Sequence, residues 1–179
     1  MWNNVAEVTT VLDFFRLMVP VTLLRRGPER VPYSQSLLVM GIALCTLLTI
    51  IAASLAERPV SMAVLTFAAV ATFYAGAIFF LLTLYGVRNR ALQTLTAAFG
   101  VGAVFGVVEL FLLFMAGAGV DEGFIAVAAL VLQLWAILVD GFIISGALNI
   151  SLPLGCLLSF SILLPQVALV TAIGGGGGA

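Results

Sequence analysis

Residues 92–118 read LQTLTAAFGVGAVFGVVELFLLFMAGA and residues 124–147 read FIAVAALVLQLWAILVDGFIISGA; each holds one charged side chain, Glu109 in the first and Asp140 in the second. Crossing a bilayer takes about 20 predominantly apolar residues at a helical rise of about 1.5 Å. Both stretches exceed that. Working outward, Leu37–Leu55, Met62–Tyr85 and Leu152–Ile173 have the same character, with brief connections between them. The pattern predicts an all-α integral membrane bundle of about five transmembrane helices, with residues 1–36 as an amphipathic segment and linker, 37–173 as the membrane domain and 174–179 as a flexible glycine-rich tail.

The composition agrees. Apolar residues fill 63% of the 179 positions and charged residues 8%, against roughly 45–50% and 25% in soluble domains. A formal net charge of −1 offers no electrostatic track for nucleic acid. The chain contains no His, and all seven of its cations are Arg. Without His there is no Ser/His/Asp or Cys/His pair, no HExxH zinc site and no common haem ligand; without Lys there is no P-loop and no Schiff base. We therefore expect no enzyme, no catalytic residue, no metal site and no cofactor. Cys45 and Cys156 fall inside apolar runs with no CxxC partner, which reads as packing and not as redox chemistry.

The opening stretch places Val5, Val8, Leu12, Phe15 and Val19 at helical spacing, with Glu7, Asp13 and Arg16 elsewhere. That is an amphipathic helix too short and too charged to span, and Pro20 should break or kink it. Two placements fit: an interfacial helix with Trp2 at headgroup level and Arg16, Arg25, Arg26 and Arg30 near anionic lipid or a partner, or a helix packed on the ends of the spans. Short connections make neighbouring spans antiparallel. With the N-terminus on the cytoplasmic side, six of the seven Arg fall there and Arg58 alone lies outside, the sense of the positive-inside rule. The C-terminus is then periplasmic. Exclusive use of Arg over Lys, with abundant Ala, Gly, Leu and Val, looks like a GC-rich bacterial genome and hence an inner membrane.

Intramembrane acids are functional candidates because burying them costs free energy. Glu109 shares a helical face with Ala98, Gly102, Gly106 and Ala116, and Asp140 with Ala126, Ala129, Gln133, Ala136 and Ala147. Small residues of this kind face neighbouring helices, so both acids should point into the bundle. Counting from the connection between them puts Glu109 and Gln133 at one depth, where they should meet. Asp140 lies roughly 10 Å deeper by helical rise, which argues against a carboxylate dyad. Ser159, Ser161, Thr94 and Thr96 are its expected hydrogen-bond partners. Gly102 and Gly106 form a GxxxG that fits close packing within the chain or a homodimer seam. Pro165 should bend the fifth span beside Gln166, opening a polar pocket at the level of Glu109 and Gln133.

The amphipathic N-terminus ending in Arg25, Arg26, Gly27 and Pro28, followed by five closely spaced spans and an outer C-terminus, resembles the Yip-type five-span membrane proteins. Eukaryotic members are associated with Rab GTPases and vesicle traffic, and bacterial members reside in the inner membrane. The Asp-Leu-Tyr-Gly-Pro type signature of the eukaryotic branch has no match here, so the resemblance carries over no Rab-related role and no functional residue. It implies a non-enzymatic protein that organises membrane partners. The alternative reading of the residues themselves is a small transporter or proton-coupled permease with a polar site around Glu109 and Gln133, which requires a cavity.

Overall fold

The computed structural model describes residues 10–175, and Trp2 and the side chain of Arg30 lie outside that description. Among the described residues six α-helices follow one another: α1 (Val11–Thr22), α2 (Gln35–Leu55), α3 (Val60–Leu84), α4 (Ala91–Gly117), α5 (Glu122–Leu148) and α6 (Leu152–Gly175). Five of them, α2 to α6, are long and apolar enough to cross a membrane. The protein is thus an all-helical multi-pass membrane bundle preceded by a short helix. Its periphery carries exposed large apolar side chains such as Phe80, Phe114, Val127 and Leu157, a surface suited to hydrocarbon and not to water.

Helix ends lie where local chemistry puts them. Ser34 caps α2, its Oγ accepting from the Leu37 amide at 3.4 Å, and Asp121 caps α5, its Oδ1 accepting from the Phe124 amide at 2.9 Å. Such caps satisfy amides that have no partner within the helix. Helix α5 stops at Asn149, whose φ of 57° is a left-handed conformation that Asn tolerates. Arg90 then closes this end from the connection before α4: its Nη1 donates to the Ala147 carbonyl at 3.0 Å and the Gly146 carbonyl at 3.4 Å. A cation at a helix C-terminus meets the negative end of the helix dipole.

The spans form a closed ring in the order α2, α4, α5, α6, α3 and back to α2. Two seams are drawn tight by glycine. Between α5 and α6, a Cβ added to Gly155 would come within 2.3 Å of the Gly141 carbonyl oxygen, and one on Gly141 within 2.6 Å of the Cys156 Cα. Between α2 and α4, the GxxxG pair faces the chain's own α2: an added Cβ would meet the Cys45 Sγ at 3.6 Å from Gly102 and the Leu48 Cδ1 at 3.0 Å from Gly106. Of the two uses expected for this motif, the intramolecular one is present. Cys45 also donates to the Phe99 carbonyl at 3.3 Å, so the cysteine helps to hold this seam.

The short N-terminal helix buries a different face from the one its spacing suggests. Phe14 and Met18 are wholly buried and Val21 nearly so, while Leu12 is 60% exposed and Val19 39%. The reason lies on α4, where Gly100 leaves room for the Met18 side chain: a Cβ there would approach its Sδ to 2.4 Å. Helix α1 is docked on the bundle and keeps apolar Leu12 and Val19 on its outer side beside the charged Arg16. Pro20 does not break it, since the helix continues to Thr22. The Trp135 indole of α5 donates to the Thr22 carbonyl at 3.1 Å, securing the end of α1. The following linker docks too, Pro28 resting on Gly146 and the Gln93 side-chain amide donating to the Val31 carbonyl at 2.8 Å. Arg25 and Arg26 are exposed, and Arg16 makes an exposed pair with Asp13 at 3.7 Å.

At the other terminus, α6 runs through Pro165 and two residues into the glycine run expected to form the tail.

Candidate functional site

Buried apolar residues are concentrated at the end of the bundle that carries Arg88, Arg90 and α1. One cluster joins Phe14, Met18, Val21, Val31, Leu37, Ala97, Val139 and Ile143 and reaches along α4 through Val101 and Ala103 to Phe105, and a second joins Ile78, Leu82, Ile144, Ala147, Leu148 and Ile162. Toward the opposite end, which carries Arg58, Asp121 and Glu122, the ring holds a partly open cavity of about 650 Å³. All five spans line it. Each does so at helical spacing, as in Cys45, Thr49 and Ala52 of α2 or Ser159, Ile162, Leu163 and Gln166 of α6, so one continuous stripe of every helix faces inward.

Glu109, Gln133, Asp140 and Gln166 all line this one space. The face expected for Glu109 is present over Ala98, Gly102 and Gly106, and that expected for Asp140 over Gln133 and Ala136. Glu109 and Gln133, expected to meet at one depth, line the same cavity. Both side chains are exposed, and among the described residues no hydrogen bond joins them. Gln166 is half-buried on the same wall. A carboxylate and two carboxamides thus present donors and acceptors to the interior of an otherwise apolar chamber.

Asp140 occupies the deep end and is held differently. Tyr74 of α3 donates its hydroxyl to Oδ1, and Ser159 of α6 donates to Oδ2 at 2.9 Å. Three helices therefore meet at one carboxyl, with the Tyr74 ring braced edge-on against Phe99 at 6.3 Å between centroids. One turn closer to the Arg88 end, Ile143 and Ile144 are buried in the two apolar clusters. The hub forms the floor of the cavity, and the packed half lies beneath it.

Of the four hydroxyls expected to serve Asp140, only Ser159 does. Thr94 and Thr96 donate to the carbonyls of Arg90 and Leu92, and Ser161 to that of Leu157, each four residues back along the chain. A hydroxyl in a helix has that partner within reach at all times, so a distant carboxylate competes for it poorly. Tyr74 escapes a reading of the sequence because it sits in an apolar run. Its position near the middle of α3 is the available signal: tyrosines of membrane helices favour the interfaces, and a central phenol needs a polar partner.

The mouth is marked by Arg58, which lines the cavity beyond the end of α2. The lining thus includes one cation and two acids, with the cation at the rim and the acids deeper. At this size, with mostly apolar walls and a few convergent polar groups, the chamber has the make-up of a small-molecule site. The chain matches no protein-family model, and no curated protein or solved structure is significantly similar to it.

Proposed function

We propose that this protein is a small membrane carrier or permease that binds a solute in the chamber between its five spans, with Glu109, Gln133 and Gln166 as contacts. The observation that carries this reading is the convergence of these three side chains and Asp140, from three separate helices, on one cavity. Polar groups in a membrane span are costly unless partnered. Glu109 and Gln133 nonetheless stay open to the space they line, which is where a ligand or water serves them. Asp140 plays another part: through Tyr74 and Ser159 it ties α3, α5 and α6 together beneath the chamber. Exchange of a proton at this carboxyl would change which of those bonds can form and so loosen or tighten the floor. The distribution of Arg supports a cytoplasmic Arg88 end, and the Arg-only cation usage supports a bacterial inner membrane.

The test is a panel of small cations, anions and zwitterions screened by thermal unfolding of the purified protein. A member that raises the unfolding temperature is then followed in liposome flux. The reading expects stabilisation by at least one member and flux reduced at least about tenfold in Glu109→Gln, as loss of a charge-assisted contact implies. Flux equal in wild type and Glu109→Gln would defeat it.

A second reading, an organiser of membrane partners with Yip-type architecture, draws support from Arg16, Arg25 and Arg26, which stand exposed on or just after a helix held firmly to the bundle. It expects intact function in Glu109→Gln and lost partner recovery when residues 1–26 are removed.

A further inference from the structure

We propose that the chamber is a site for an organic monocation with an apolar, aromatic-compatible body, its charge held by Glu109. This rests on the reading of the cavity as a solute site and adds the chemistry of the solute. Three observations on the walls point to it.

The first is the sign of the charge. Glu109 and Asp140 lie inside while the Arg58 guanidinium is at the rim, and Arg58 is exposed. Asp140 already accepts from Tyr74 and Ser159, which leaves Glu109 as the carboxylate open to a newcomer. In surroundings of low polarity an opposite charge at contact distance is favoured far more than in water, and an anion beside Glu109 is disfavoured to a similar degree.

The second is what the walls cannot supply. A hard metal cation takes about six or more oxygen ligands at short range, and the chamber offers one free carboxylate with two dispersed carboxamides. An inorganic cation would have to keep its water in a mostly apolar space. An organic cation carries its own apolar surface and sheds water from it at a gain.

The third is the aromatic content. Phe67 of α3, Phe105 of α4 and Tyr74 beside the floor all line the space. Aromatic faces attract cations that have weak hydration shells, and the same rings pack against an apolar body. A volume near 650 Å³ holds one drug-sized molecule and no folded partner.

The experiment uses two ions of the same shape and opposite charge, tetraphenylphosphonium and tetraphenylborate. Equilibrium dialysis of each, radiolabelled, is run against the full chain in lipid nanodiscs, with empty nanodiscs subtracted. The proposal expects saturable binding of the phosphonium at least about tenfold tighter than of the borate. That preference should fall about tenfold in Glu109→Gln and return in Glu109→Asp.

Ala52→Phe, which places a ring in the chamber from α2, should abolish saturable binding. Its unfolding temperature shows whether it is folded, and Leu113→Trp serves if it is not. Equal binding of both ions, lost in the cavity-filled variant, would overturn the cation assignment and leave the solute site standing. Phosphonium binding that is untouched in Glu109→Gln would overturn the assignment of the charge to Glu109. Absence of saturable binding of either ion to folded wild type would overturn both.

Discussion

The two halves of this bundle are built from the same helices and solve opposite problems. Toward the Arg88 end, α1, the Pro28 linker and all five spans interlock, and nearly every fully buried large side chain is found there. Toward the Arg58 end the same ring is hollow, and polar groups are left open to the space. Helix association in lipid relies on close packing, since hydrocarbon is as apolar as the side chains it would be exchanged for. The packed half supplies that association. The hollow half can then forgo it, which is what a binding chamber requires.

This contrast should appear first in stability. Phe14→Ala removes a wholly buried ring of the packed half and is expected to cost about 3–5 kcal/mol, measured by reversible unfolding in mixed micelles. Leu113→Ala removes a comparably large side chain from the cavity wall; because the space beside it is already open, its cost should stay below about 1 kcal/mol. Equal costs would break the comparison.

Gly155→Val comes next, at about 1–3 kcal/mol, because its Cβ would meet backbone that cannot move aside. Gly76→Val on α3, where an added Cβ meets nothing within 4 Å, should be close to neutral in the same assay.

Tyr74→Phe tests the boundary between the halves. Losing the hydroxyl that donates to Asp140 should cost about 0.6 kcal/mol, near the average for hydrogen bonds between membrane helices. A similarly small effect is expected for Arg90→Ala, about 0.3–1 kcal/mol, since that guanidinium caps α5 from an exposed position. Its loss should register as faster amide exchange in the last turn of α5.

The packed and hollow halves are not equally legible in the sequence. Span number and span limits come through because hydropathy over about 20 residues sums many small transfer terms of one sign. Periodicity also carries the inward direction of Glu109, Asp140 and Gln133, all of which line the chamber. Depth counting brings Glu109 and Gln133 to one cavity but gives no hydrogen bond between them, because depth says nothing about where each side chain points. The α1 face is missed for a related reason. Helix α1 carries apolar residues on more than one face, and the partner that selects Met18 is Gly100, far away in sequence on α4. Tight crossings such as Gly141 with Gly155 are hidden among many other glycines. Only the pairing of α5 with α6 makes these two matter.

The central claim is that water and solutes reach Glu109 and Gln133 while the Arg88 half stays sealed. It is tested most directly by thiol labelling along α5 in a background with Cys45 and Cys156 replaced by Ala. Gln133→Cys and Ile143→Cys are exposed in turn to a charged, membrane-impermeant methanethiosulfonate on protein in sealed liposomes, from each side. The account predicts fast modification of Gln133→Cys from the face carrying Arg58 and none of Ile143→Cys from either face. A Gln133→Cys as unreactive as Ile143→Cys would contradict it.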